Sequence, residues 1–141
     1  MRHIQQLTIA LLAAAFCAWN APAADLKLIA NLSVGANSVT ADEIKAVFLA
    51  TRSSLSDGSH VEPVLLKGGP THEAFLRDYV GKTGTAFETY FRSLVFTGKA
   101  SMPKELASDA DVVAYVAKTR GAVGYVSAGA ATAGVKTLEV K

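Results

Sequence analysis

His72 and Glu73 open the pattern of a zinc-protease helix, but the second histidine that such a site needs would fall at position 76, which is Leu76. That chemistry is excluded. Gly81-Lys82-Thr83 ends like a nucleotide-phosphate loop, yet position 76 lacks the glycine the loop requires and the segment follows a helix where a strand is needed. There is no G-x-S-x-G elbow, and a serine triad would have to recruit His60 or His72 to an unidentified serine. Asp109 and Asp111 could pass for paired acids, but they fall in the first turn of a predicted helix, where carboxylates complement the dipole. An enzyme is therefore not the expectation, and neither a metal nor a cofactor is implied. What remains is Lys67-Gly68-Gly69-Pro70-Thr71-His72. A glycine pair lets backbone approach an anion, the following helix offers unpaired N–H groups and a positive dipole, Thr71 adds a hydroxyl and Lys67 adds charge. A small oxyanion fits these donors. The bland alternative is an ordinary strand-to-helix connection with a solvated lysine.

The elements that would position this loop can be read from periodicity. Leu26 to Leu32 is nearly continuous in apolar residues, as expected of a strand covered on both faces. Thr40 with Glu43 three residues on is a capping box, so a helix is predicted over about 40–50. Ser56-Asp57-Gly58 is a turn, and Val61 to Leu66 a second strand with Pro63 near its start. A helix begins at Pro70 and carries Phe75, Leu76, Tyr79 and Val80, with Gly81 and Gly84 expected to stop it. Phe87, Tyr90, Phe91, Leu94 and Val95 recur at helical spacing, and Gly98 follows where a left-handed residue ends a helix. Ser108 with Asp111 starts a further helix with Val112, Val113 and Val116 inward. Ala122 to Val126 and Val135 to Val140 read as strands. Asn31-Leu32-Ser33 matches a glycosylation sequon, but it lies in a predicted buried strand. The order predicts an α/β fold: a single three-layer lobe with a mixed sheet of about four or five strands flanked by helices.

Composition bounds the rest. Half the residues are apolar and the formal net charge is +2, which excludes a disordered chain and an electrostatic nucleic-acid binder. At 141 residues there is room for one core. Met1-Arg2-His3, the almost unbroken apolar run from Leu7 to Phe16, and Ala21-Pro22-Ala23-Ala24 together read as a secretory signal peptide over residues 1–23, with the domain at 24–141. The apolar run is shorter than the roughly 20 residues of a membrane-spanning helix. Export to the periplasm is the expectation. The only cysteine, Cys17, falls inside the leader, behind bulky Phe16 where lipidation would want a small residue, so no disulfide is expected after cleavage.

Several segments, in order, resemble one family. Val39 to Phe48, the Asp57-Gly58 turn with Val61 to Val64, Phe96-Thr97-Gly98-Lys99 with Met102-Pro103, and Gly121-Ala122-Val123-Gly124-Tyr125-Val126 are similar to segments of phosphate-type periplasmic substrate-binding proteins of ABC transporters. The resemblance runs over about residues 26 to 141, and it implies one lobe of a type II periplasmic binding protein. Such proteins close two lobes on the anion, whereas this chain resembles the second lobe alone, its first and last strands standing where the interlobe crossings would be. Lys67 and Gly68-Gly69-Pro70-Thr71 occupy the place of the family's arginine and serine-rich run, Ala50 stands where glycine is usual, and Leu55 near a usual tryptophan.

The resemblance implies a ligand site of Lys67, Gly68, Gly69, Thr71 and His72, helped by Asn37 and Ser38, for phosphate or a similar small anion. A few charge-assisted hydrogen bonds of about 1.5–3 kcal/mol each, weakened by solvent and offset by association entropy, leave a dissociation constant on the order of millimolar. Either a second copy or a membrane transporter or sensor partner supplies the missing wall, or the lobe is an interaction or sensor-accessory domain that has lost its ligand.

Overall fold

The computed structural model describes residues 26–141. The predicted leader, with Cys17, lies outside the described residues. Six strands and four helices follow one another as β1 (Leu26–Ala30), β2 (Ser38–Val39), α1 (Ala41–Phe48), β3 (Glu62–Leu66), α2 (Pro70–Phe75, continued by a π-helical turn, Leu76–Val80), α3 (Gly84–Phe96), β4 (Lys104–Leu106), α4 (Asp109–Lys118), β5 (Ala122–Ser127) and β6 (Lys136–Val140).

The sheet order is β2-β6-β1-β5-β3-β4. β1 is antiparallel to both of its neighbours, while β2 with β6, β5 with β3, and β3 with β4 pair in parallel. Five strands therefore point one way and β1 alone opposes them. The carboxyl ends of β2, β3 and β4 lead into α1, α2 and α4, so three helix N-termini line one edge of the sheet.

Alternation along β5 divides the two faces. Gly124 faces α4 so closely that a Cβ there would lie 3.1 Å from Val112 Cγ1. On the other face Tyr125 stacks on Phe75 with ring centroids 3.9 Å apart, and Phe48 of α1 packs beside them. α3 sits on this second side, its Tyr90 hydroxyl donating to the Leu49 carbonyl at 2.7 Å. The result is the predicted three-layer lobe. Its core joins Ile29, Phe48, Phe75, Phe91, Val116 and Tyr125, all fully buried.

The sheet has more strands than the four or five expected. β2 is two residues long and β4 reads Lys-Glu-Leu, so neither carries a hydrophobic pattern, and both are edge strands made by backbone pairing. β1 ends at Ala30 rather than Leu32, because Asn31 turns the chain. Its Oδ1 accepts the Ser33 N–H at 2.9 Å, and Leu32 is left exposed. The amide of Asn31 donates to the Val116 and Ala117 carbonyls at the end of α4, so the sequon side chain is buried and engaged. Gly81 does end its helix, in the left-handed conformation. Gly84 instead opens α3 behind the Thr83 cap. Val95, read as an inward position of α3, is exposed, while Phe87 and Phe91 are buried.

Candidate functional site

Val64, Leu65 and Leu66 are buried, and the chain leaves the core at Lys67, whose side chain is exposed. The Lys67 N–H still donates to the Leu106 carbonyl of β4 at 2.9 Å, so the lysine is anchored at the sheet edge. Gly69 has φ +91° and ψ 175°, a conformation that is strained for any residue with a Cβ. Pro70 starts α2, and the first helical bond runs from the Glu73 N–H to the Gly69 carbonyl at 3.0 Å. Among the described residues no internal acceptor takes the N–H groups of Gly68, Gly69, Thr71 or His72. Open α/β sheets place ligands at such a carboxyl edge.

The other helices at this edge are closed. Thr40 and Glu43 form the expected capping box on α1, and Ser108 accepts the Asp111 N–H on α4. Asp109 accepts from both the amide and the hydroxyl of Ser127, tying α4 to the end of β5. The Asp109 carboxylate is thus engaged structurally, while Asp111 enters the cap through its backbone N–H. α3, elsewhere, is capped by Thr83. Among the α-helices of the described residues, α2 alone has no side-chain cap.

His72 is half-buried, with its ring stacked 6.1 Å from that of Tyr125 and its Nδ1 hydrogen-bonded to the Tyr125 hydroxyl. The same hydroxyl accepts the Leu66 N–H at 3.2 Å. The phenolic O–H must itself find an acceptor, and among the described residues Nδ1 is the one within reach, so it donates to Nδ1 and the imidazole proton is assigned to Nε2. Burial holds His72 below the ordinary histidine range, against the opposing pull of the Glu105, Glu73 and Glu88 carboxylates. At neutral pH His72 is uncharged. The loop's positive potential thus comes from Lys67 and the open amides.

Not all the expected residues meet. Lys67, Gly68, Gly69, Thr71 and His72 form one continuous turn, but Asn37 and Ser38 lie at β2, four strand spacings from β3, or about 19 Å across the sheet. A single small anion cannot bridge that distance. They line a separate depression with Thr40, Glu43, Ser56, Asp57 and Lys141. Glu43 there accepts the Thr40 amide at 2.8 Å and the Ser56 amide at 2.9 Å. Those bonds and the Ser56 hydroxyl hold its carboxyl below the usual range.

Tyr125 was not singled out by the sequence as a site residue. Its only signal was its place in the Gly-Tyr-Val run, where an aromatic among small apolar residues reads as core. The pairing of β5 beside β3 is what brings its hydroxyl beneath the loop. A different concavity, at the opposite edge of the sheet, gathers Arg52, Glu62, Lys104 and Tyr115 around Pro63 and Pro103. Among the described residues no cluster of histidine, cysteine and carboxylate side chains could hold a metal, and no helix is long and apolar enough to cross a membrane.

No family model and no curated protein sequence matches the chain. Its fold is similar to that of an ABC-type phosphate transport receptor from Vibrio cholerae, with a TM-score of 0.62 at 12% identity over 82% of this chain and 46% of the receptor. A protein from Clostridium perfringens described as a phosphate ABC transporter substrate-binding protein, solved with bound phosphate, gives 0.63 at 13% identity over 82% and 44%. PstS from Borrelia burgdorferi gives 0.53 at 11% identity over 83% and 47%. The chain spans about half the length of the structures it matches. It has the fold of a single lobe.

Proposed function

We propose that a chain with the fold of one lobe of phosphate transport receptors is itself an exported, periplasmic substrate-binding-like protein that holds phosphate or another small oxyanion weakly at residues 67–72. One observation carries the reading. Of the four helices among the described residues, only α2 presents its first N–H groups without a side-chain cap, and it does so behind a glycine pair, beside Thr71 and Lys67, at the carboxyl edge of the sheet. The fold neighbours support it, since one was solved with phosphate bound. The same likeness supports a role in transport in company with a membrane transporter.

The donors are neutral amides, one hydroxyl and one solvated ammonium, with His72 uncharged. Each such hydrogen bond contributes about 0.5–3 kcal/mol, and association entropy opposes the sum, which keeps the dissociation constant on the order of millimolar. Calorimetry and thermal shift with inorganic phosphate and sulfate test this. At ten times its dissociation constant the anion stabilises the fold by about 1.4 kcal/mol. Lys67→Ala and Thr71→Ala each weaken the effect. The reading is rejected if the wild-type protein gains no stability at tens of millimolar anion, or if both variants gain as much as wild type. The mass of the protein recovered from the periplasm checks export and cleavage near Ala23.

A second reading, an interaction or sensor-accessory domain, is favoured by Phe96. It is 91% exposed at the end of α3, beside exposed Val95 and Met102. Met102 precedes β4, so this patch lies toward the amino edge of the sheet, away from the loop. Self-association or partner binding that Phe96→Ser abolishes, together with silence in the anion titrations, selects it.

A further inference from the structure

We propose that Tyr125 is the positioning residue of the anion loop, its buried hydroxyl joining the Leu66 amide, where β3 ends, to the His72 imidazole, where α2 begins. The inference rests on the reading of residues 67–72 as an oxyanion site and assigns the residue that gives the site its shape.

The segment between the two ends of this latch contains two glycines, one at φ +91°, and makes few bonds of its own. Glycine-rich backbone left free samples many conformations, and a ligand that must order it binds correspondingly weakly. Tyr125 removes that freedom from below. Its side chain is fully buried, its ring stacks on Phe75 at 9° between planes, and Phe48 packs beside it, so the hydroxyl has no room to wander. The hydroxyl has two recorded partners, Leu66 and His72, and these flank the loop on either side. Packing alone would be satisfied by phenylalanine. The hydroxyl is what ties the strand end to the helix start and sets the spacing of the Gly68, Gly69, Thr71 and His72 amides.

The groups facing His72 are Tyr125 from β5, Glu105 from β4, Glu73 from α2 and Glu88 from α3. Burial lowers its ionisation, and the phenolic proton on Nδ1 favours the same neutral form. Removing the hydroxyl therefore moves the His72 titration upward, a change that a purely structural role for the ring would not produce.

The test titrates inorganic phosphate by calorimetry into wild-type protein, Tyr125→Phe, His72→Ala and the double variant, with the His72 imidazole followed by NMR across pH. His72→Ala breaks the latch from its half-buried end and leaves the Tyr125 ring stacked on Phe75, so it decides the matter should Tyr125→Phe fold poorly. Each single variant is expected to raise the dissociation constant about tenfold, and the double variant no further, because both remove one linkage. The His72 titration should move up in Tyr125→Phe. Phosphate binding in wild type with an unchanged constant in both single variants overturns the inference and leaves the loop reading standing. Absence of binding in wild type overturns both.

Discussion

Ala50 is the only residue other than glycine with a positive φ among the described residues, at 59°. It follows α1 in a Schellman turn: the Thr51 N–H reaches the Ala46 carbonyl at 2.9 Å and the Ala50 N–H reaches Val47 at 3.1 Å. α3 ends in the same arrangement, with Lys99 to Leu94 at 2.9 Å and Gly98 to Val95 at 3.1 Å, and there the left-handed position is glycine at φ +70°. The molecule thus holds the same turn twice, once with a Cβ and once without. An L-residue in this region costs about 1–2 kcal/mol, and glycine's extra freedom in the unfolded chain offsets about 0.4–1 kcal/mol of that. Ala50 is exposed, so its methyl contributes little burial, and a Cβ at Gly98 would meet nothing within 4 Å. Ala50→Gly should therefore stabilise the protein by about 0.5–1 kcal/mol, raising Tm by about 2–6 °C for a domain of this size. Gly98→Ala should lower stability by a similar amount. Urea titration monitored by far-UV circular dichroism, with m-values compared, measures both. A neutral or destabilising Ala50→Gly, or shifts of the same sign in the two variants, would refute the assignment of strain to the turn.

Two further outcomes follow from side chains that serve the backbone. Asn31→Ala strips the partners from the Val116 and Ala117 carbonyls and the Ser33 amide, and should cost about 2–4 kcal/mol in denaturant midpoint analysis; a loss below about 1 kcal/mol would mean water replaces the amide freely. Glu43 has a carboxyl held below its ordinary value of 4.5, chiefly by the Ser56 hydroxyl and the Thr40 amide. A group depressed in the folded state contributes stability that is present above its unfolded value and lost as pH falls through the folded one. Wild-type Tm should thus hold down to about pH 5 and fall below it, whereas Glu43→Gln should start lower and lose less over the same acid range. Parallel curves for the two proteins would contradict this.

The open turn at residues 67–72 and the lobe were legible for different reasons. The capping box at Thr40 and Glu43, the Ser108 cap, the helix stop at Gly81 and the left-handed Gly98 are local devices, set by residues within four positions of each other, and each appears in the structure as read. The glycine pair before Pro70 is equally local, which is why the open amides could be anticipated. β2 and β4 could not, because strands of two and three residues exist only through partners supplied by β6 and β3.

The amino-acid sequence by itself determined the helices, the long strands, the apolar set that forms the core and the one strand-to-helix turn rich in free donors, since these depend on periodicity and on short-range caps. Only the tertiary structure decided which residues share a site. Strand order separates Asn37 and Ser38 from the loop, and the adjacency of β5 to β3 sets Tyr125 beneath it. Residues 53 positions apart meet at the His72–Tyr125 hydrogen bond. Side-chain alternation specifies which face of a strand is buried but not which strand lies beside it, and that choice belongs to the packing of the whole lobe.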